Sequence, residues 1–294
     1  METKVLNKND LILAVKGLKR GESVVFPTET VYGLGAPIFN ERAVAQIFSI
    51  KGRPQDNPLI AHISTLAQAE TLASELSDLF FLLAEKFWPG PLTIVVKKRE
   101  TVPSIVSAGH PTIAIRMPSH PIAKQLIEAV GEPLVAPSAN LSGRPSPTCV
   151  KDVLEDLGGK VEWVIDGGDC EVGIESTVIS LVDSTPVLLR PGSITQAMLE
   201  DVLGKNIAHP HEGGPIHSPG MKYRHYAPKA RVHLIYKLEE LTGPFIIPTA
   251  KNLYSQLREA DRMGMASIEV YCDQETQSNA GLMNRLLKAA GQSG

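Results

Sequence analysis

The sequence is poor in aromatic residues, which make up 5% of its 294 positions. A core must therefore be built from Val, Ile, Leu and Ala. Cysteine is scarce as well: Cys149, Cys170 and Cys272 stand apart, with no C-x-x-C pair. That scatter argues against a disulfide framework and a structural zinc site, and leaves reduced thiols as the expectation. The longest apolar run, Leu79 to Ala84, is far too short to cross a bilayer. Residues 1–22 lack an apolar segment with a small-residue cleavage site, so no signal peptide is read and a cytoplasmic location is expected. With 29 Lys+Arg against 32 Asp+Glu, the formal net charge of −3 gives no global pull toward nucleic acid.

Common nucleotide signatures are missing too. There is no G-x-x-x-x-G-K-[ST] loop, and Gly33-Leu34-Gly35 lacks the third glycine of a dinucleotide fingerprint. No H-E-x-x-H metal site is present. A bound nucleotide would have to be held in another way.

What is present is an alternation of helical and strand patterns over residues 1–208, the mark of a mixed α/β domain. Helices are expected over Leu11–Leu18, over Glu41–Ile50 behind an Asn40 cap, and in one piece over Leu66–Phe87. Pro121 suits the first turn of a helix closing at Gly131; Thr148 suits a cap, and Ser193 with Gln196 a capping box. Strands are expected at Ser23–Phe26, Leu92–Lys97, Thr112–Met117, Glu162–Ile165, Thr177–Val182 and Val187–Leu189. Residues 209–229, rich in His, Pro and Gly, read as a linker. Residues 230–294 read as a second, small α/β unit, near the lower limit for stability alone and expected to lean on the first.

Polar clusters follow the expected strands. Pro27 to Gly35 holds two threonines, a carboxylate, a phenol and two glycines that would let backbone N–H groups approach a ligand. Lys51 and Arg53 stand one residue apart on a proline-stiffened loop. Such close cations repel unless an anion lies between them, and phosphate suits a point charge beside a planar fork; a solvated surface loop is the plainer alternative. Ser138 and Ser146 add hydroxyls on stiff backbone, and Glu175-Ser176 and Arg190-Pro191-Gly192 flank later strands. Arg116 lies within a strand pattern, where it needs either a structural salt bridge or a ligand carboxylate. His62 reads first as a satisfied core histidine. Ser138, Ser176 and His62 do not make a hydrolase triad, because no G-x-S-x-G elbow is present.

Taken in order, PTETVYGLG (27–35), KGRPQDNPLI (51–60), FWPGPLT (87–93), IAIRMPSHP (113–121), APSANLSGRPSPT (136–148), GIESTV (173–178), LLRPG (188–192) and SPGMKYRHYAP (218–228) resemble the YrdC-like threonylcarbamoyl-AMP synthase family in its long, two-domain form. The resemblance is strong over residues 8–230 and looser beyond. It implies a twisted mixed sheet with a concave, positively charged cavity, plus a small Rossmann-like α/β unit. The implied activity is a nucleotidyl transfer that makes threonylcarbamoyladenylate from L-threonine, bicarbonate or CO2 and ATP, releasing pyrophosphate. A partner transferase would then modify the adenosine at position 37 of tRNAs reading ANN codons. Carried over position by position, Thr30, His62, Arg116, Ala136 and Ser176 would hold threonine. Arg53, Asn57, Thr112, Ser138, Ser146, Arg190 and, from the linker, Tyr223 would hold ATP, with Lys51 beside the phosphates. Mg²⁺ would arrive with the triphosphate, held mainly by phosphates and water. The second unit departs from the family in lacking an internal portion between Leu241 and Leu253, which puts its role in doubt.

Two other readings compete. An RNA-binding module is suggested by relatives whose similar cavity binds structured RNA, although the acidic balance opposes it. A hydrogenase-maturation carbamoyl transferase would add zinc-finger and acylphosphatase segments that this chain lacks. No membrane partner is expected.

Overall fold

In the computed structural model, residues 2–210 and 225–292 are described. Strands β1 (Lys4–Leu6), β2 (Val24–Phe26), β3 (Gly33–Pro37), β4 (Ile60–His62), β5 (Leu92–Lys97), β6 (Thr112–Arg116), β7 (Leu134–Val135), β8 (Trp163–Ile165), β9 (Thr177–Ser180) and β10 (Val187–Arg190) join in one sheet. Their order is β1-β8-β2-β3-β7-β4-β6-β5-β9-β10. Parallel pairs such as β4 with β6 sit beside antiparallel pairs such as β5 with β6, so the sheet is mixed, as expected.

Two-residue periodicity assigns the faces. On β2, Val24 and Phe26 pack with helices α1 (Leu11–Lys19) and α5 (Pro121–Val130), while Val25 joins the core beneath α2 (Glu41–Lys51). On β6, Ile113 and Ile115 enter that main core, and Ala114 turns the other way to meet Ile60, Val95 and Val178 from β4, β5 and β9. His62 and Arg116, two residues beyond Ile60 and Ala114, share that second side. It carries the site.

Several local expectations change. The stretch from Leu66 to Phe87 is two helices, α3 (Leu66–Leu72) and α4 (Asp78–Phe87). Ala73 turns to extended backbone and bridges Lys98, and Ser77 restarts the helix by accepting from the Phe80 N–H. Thr148 does not cap: Cys149 is the N-cap residue of α6 (Val150–Leu157), without a side-chain cap bond. Thr195, not Ser193, caps α7 (Gln196–Leu203), and the Gln196 amide turns to Glu200. The glycines of PTETVYGLG are strand residues, and of the two Gly33 lines the cleft described below. A Cβ on Gly35 would lie 2.6 Å from the Phe26 ring, so the glycine makes room for that side chain.

The second unit is a parallel sheet of β11 (Arg231–Ile235), β13 (Ser267–Tyr271) and β12 (Phe245–Ile246), with helices α8 (Leu253–Arg262), α9 (Gln274–Ser278) and α10 (Ala280–Ala289). It leans on the first unit, as its size requires. Val31 and Ile174 of the first unit belong to its core. Gly173, at φ +82°, passes so close that a Cβ would sit 2.5 Å from the Ala250 carbonyl. Buried Arg258 donates to Asp156 Oδ2 at 2.9 Å and to the Pro145 carbonyl at 2.5 Å. All three cysteines are free thiols. Among the described residues no helix is long and apolar enough to cross a membrane.

Candidate active site

A cleft opens on the side of the sheet that bears His62 and Arg116. Thr30, His62, Arg116, Ala136 and Ser176 line it, and so do Lys51, Arg53, Ser138, Ser146 and Arg190. Segments far apart in sequence therefore meet in one place.

At one end the cations gather. Lys51 is the last residue of α2 rather than part of a loop; Gly52 follows in a left-handed conformation, φ +59°, and ends the helix. The buried ammonium donates to the carbonyls of Ser138 and Asn140. Burial and the neighbouring Arg53 hold its pKa well below the ordinary lysine value. Arg53 donates to the carbonyls of Asn57 at 3.4 Å and Pro58 at 3.1 Å, which bends its loop back on itself. Burial lowers its pKa to about 10, so it stays charged near neutrality. Arg190 reaches the cleft through a β-bulge. Leu188 faces the main core, and the register shift between Leu188 and Arg190 turns the guanidinium away from that side. There it donates to the Ser176 carbonyl at 3.1 Å and the Ser176 hydroxyl at 3.2 Å.

At the other end Arg116 is buried and held from three sides. It donates to Glu29 at 2.6 Å, to the Thr30 hydroxyl at 2.9 Å and to the Gly90 carbonyl at 3.2 Å. A guanidinium has five N–H groups, and these bonds occupy three of them, one each on Nε, Nη1 and Nη2, leaving two. His62 bonds the Ile60 carbonyl through Nδ1 at 3.2 Å and meets the Phe26 ring edge-on. Burial and the Arg116 charge push its pKa to about 3, so the imidazole is neutral. The Ser176 hydroxyl is shared with Thr93 at 2.7 Å.

Three expected residues are placed otherwise. Thr112 lies on the same side of β6 as Arg116 but four residues back, roughly 13 Å along a strand, and does not line the cleft. Asn57 stands beside Arg53 outside the lining, buried, with neither amide atom hydrogen-bonded within the described residues. Tyr223 falls outside the described residues. Among the described residues the tyrosine in the cleft lining is Tyr226, at φ +63°, hydrogen-bonded to Arg190. Reading the sequence also passed over Glu29, which holds Arg116, and gave no role to Glu175 in the cleft wall. Each stood in a motif already marked as polar, but the partner that explains it is distant in sequence.

The family profile described as telomere recombination, Sua5/YciO/YrdC, matches residues 16–192. A second, described as threonylcarbamoyl-AMP synthase C-terminal domain, matches residues 194–243 and 247–291. Threonylcarbamoyl-AMP synthase of Pyrococcus abyssi is 43% identical, the match covering 95% of this chain and 93% of that one. This chain belongs to the threonylcarbamoyl-AMP synthase family. A second member, from Bacillus subtilis, is 41% identical over 98% of this chain and 96% of its own. Among solved structures, P. abyssi Sua5 complexed with L-threonine superimposes with a TM-score of 0.92 at 40% identity, covering 99% of this chain and 98% of that one.

Proposed function

We propose that the cleft condenses L-threonine, bicarbonate or CO2 and ATP into threonylcarbamoyladenylate, releasing pyrophosphate. The observation that carries this reading is that one cleft is lined by two sets of cations, each held by its own partners. Lys51, Arg53 and Arg190 form one; Arg116, with two N–H groups to spare, forms the other. The first suits a triphosphate and the second an amino-acid carboxylate.

The chemistry needs no protein nucleophile. The threonine amine adds to CO2 and loses a proton, giving a carbamate. A carbamate oxygen then attacks the α-phosphorus, the bond to the β-phosphate oxygen breaks, and pyrophosphate leaves. What the protein supplies is position and charge. Neutral His62 adds no second cation beside Arg116. Ser138, Ser146 and Ser176 add hydroxyls to the cleft lining.

Among the described residues no group of three or more His, Cys, Asp or Glu is placed to hold a metal, and the one carboxylate in the cleft lining, Glu175, is bonded on both oxygens. The residues fit Mg²⁺ arriving on the triphosphate's own oxygens, where it would neutralise phosphate charge, rather than a protein-held ion. Transfer of the threonylcarbamoyl group to tRNA belongs to a partner transferase.

The test is isotope incorporation. With ¹³C-bicarbonate, ATP and L-threonine, the purified protein should yield a nucleotide heavier than AMP by a labelled threonylcarbamoyl group. A product consisting of AMP or ADP alone would refute the reading.

A further inference from the structure

An acid in the wall of an anion-binding cleft calls for an explanation. Glu175 lines the cleft near Arg190 and Ser146, where its charge would repel a triphosphate. Its neutralisation comes from the second unit. Arg285, fully buried in α10, donates through Nε to Glu175 Oε2 at 2.9 Å and through Nη2 to the Glu175 carbonyl at 3.0 Å. Its Nη1 donates to the Pro191 carbonyl at 2.6 Å. Tyr254 of α8 gives a further bond to Oε2 at 2.8 Å. The other carboxylate oxygen, Oε1, accepts from the Ser146 hydroxyl.

The helix reaches this position because two glycines meet. A Cβ on Gly281 would lie 2.9 Å from the backbone of Gly192, so α10 sits directly on the loop after Arg190. Arg285 is one turn along from Gly281 and spans both cleft segments, holding residue 175 before Ser176 and residue 191 after Arg190. The carboxylate responds to this surrounding: burial raises its pKa, but Arg285, Arg190 and the Ser146 bond outweigh burial and bring it to about 2.

We propose that Arg285 is a positioning residue for ATP: it cancels the charge of Glu175 so that this carboxylate can orient Ser146, and it fixes the segments that present Ser176 and Arg190. The shortened second unit is thereby a structural part of the nucleotide station. The inference rests on the reading that this end of the cleft takes ATP.

Loss of Arg285 leaves a buried carboxylate that only Arg190 opposes, so that Glu175 and the phosphates compete for one guanidinium. R285Q should raise KM for ATP at least tenfold while KM for threonine stays within twofold. R285K, which keeps the charge but not the fork, should raise it about fivefold. The discriminating variant is the double R285Q/E175Q. A neutral amide can still accept from Ser146, so KM for ATP should return to within threefold of the unaltered chain. A merely structural arginine would show its loss and its rescue in the melting temperature, with KM for ATP unmoved.

An unchanged KM for ATP in R285Q, or a double variant no better than R285Q, would overturn the proposal. If R285Q does not fold by circular dichroism, a wild-type KM for ATP in R285K overturns it equally. Calorimetric binding of ATP to the same variants separates this inference from the proposed activity. If the unaltered chain binds ATP without making product, the activity fails and the effect of Arg285 is still read.

Discussion

Arg116 Nη2 lies 2.6 Å from Glu29 Oε1, and both side chains are buried. Glu29 also accepts from the Ser119 N–H at 3.1 Å, which fixes the carboxylate to the start of the segment before α5. The guanidinium is thus aimed before any ligand arrives, and its two remaining N–H groups are what a threonine carboxylate would meet.

Removing the guanidinium leaves Glu29 buried without its partner and removes the carboxylate station. R116A should lower kcat/KM by about 2–5 kcal/mol. E29Q, which keeps Arg116 but loosens its aim, should raise KM for threonine about tenfold and leave KM for ATP within twofold. Steady-state pyrophosphate release at varied threonine checks both. Equal effects on the two substrates would contradict the separation of stations.

Asn57 makes a different prediction. Its amide is buried and makes no hydrogen bond within the described residues, so truncating it removes no internal bond. N57A should leave the melting temperature of the ligand-free protein within about 2 °C, because the change in stability is small for a chain of this size. In the presence of ATP the same variant should gain less thermal protection than the unaltered chain, the outcome expected of an unbonded amide beside Arg53 that turns to the nucleotide on binding. Thermal shift with and without nucleotide checks this; equal protection would remove Asn57 from the site.

The neutral state of His62 has a pH signature. Its folded pKa is lowered to about 3 by burial and by Arg116, whereas an unfolded histidine titrates near 6.5. Between those values the unfolded chain binds a proton that the folded chain does not. Stability therefore falls as pH drops below 6.5, by about 1.4 kcal/mol per unit for a full proton. His225, lowered to about 4, and His120 act in the same sense. Glu175, lowered to about 2 from 4.5, adds its own loss only below 4.5. Urea unfolding between pH 5 and 7 should accordingly show a shallower slope for H62Q than for the unaltered chain. Parallel slopes would mean that His62 is protonated in the fold.

The two units are joined by charge as well as by apolar contact. Arg258 in α8 pairs with Asp156 at 2.9 Å, and Asp156 also holds Arg144 and the Leu141 N–H, so one buried carboxylate ties the second unit to the loop carrying Ser138 and Ser146. R258A should destabilise the protein by about 1–3 kcal/mol, because it leaves the buried Pro145 carbonyl without its donor and Asp156 with Arg144 alone. Denaturant titration checks it. A loss under 1 kcal/mol would show that the pair is replaceable by water.

Much of the site was legible because its chemistry is local. Lys51 and Arg53 are close in any conformation, and the hydroxyls of 136–148 come on a chain stiffened by prolines. What escaped depends on distance or on fine geometry. Arg285 neutralises Glu175 across 110 positions, which no local pattern records. Thr112 obeys the strand periodicity that places Arg116 and still misses the cleft, because periodicity gives a face and not a depth. Arg190 needs a bulge to reach the cleft. The apolar stretch from Leu66 to Phe87 keeps helical spacing through Ala73, and only the bridge to Lys98 shows why the helix stops there.

The most direct test of the central claim is pyrophosphate release from ATP under four conditions: complete, without threonine, without bicarbonate, and with L-serine in place of L-threonine. Two stations in one cleft predict release only when ATP, bicarbonate and threonine are all present. Serine, one methyl smaller, should be slower by roughly 10-fold or more. Release that proceeds at full rate without threonine or without bicarbonate would contradict the account.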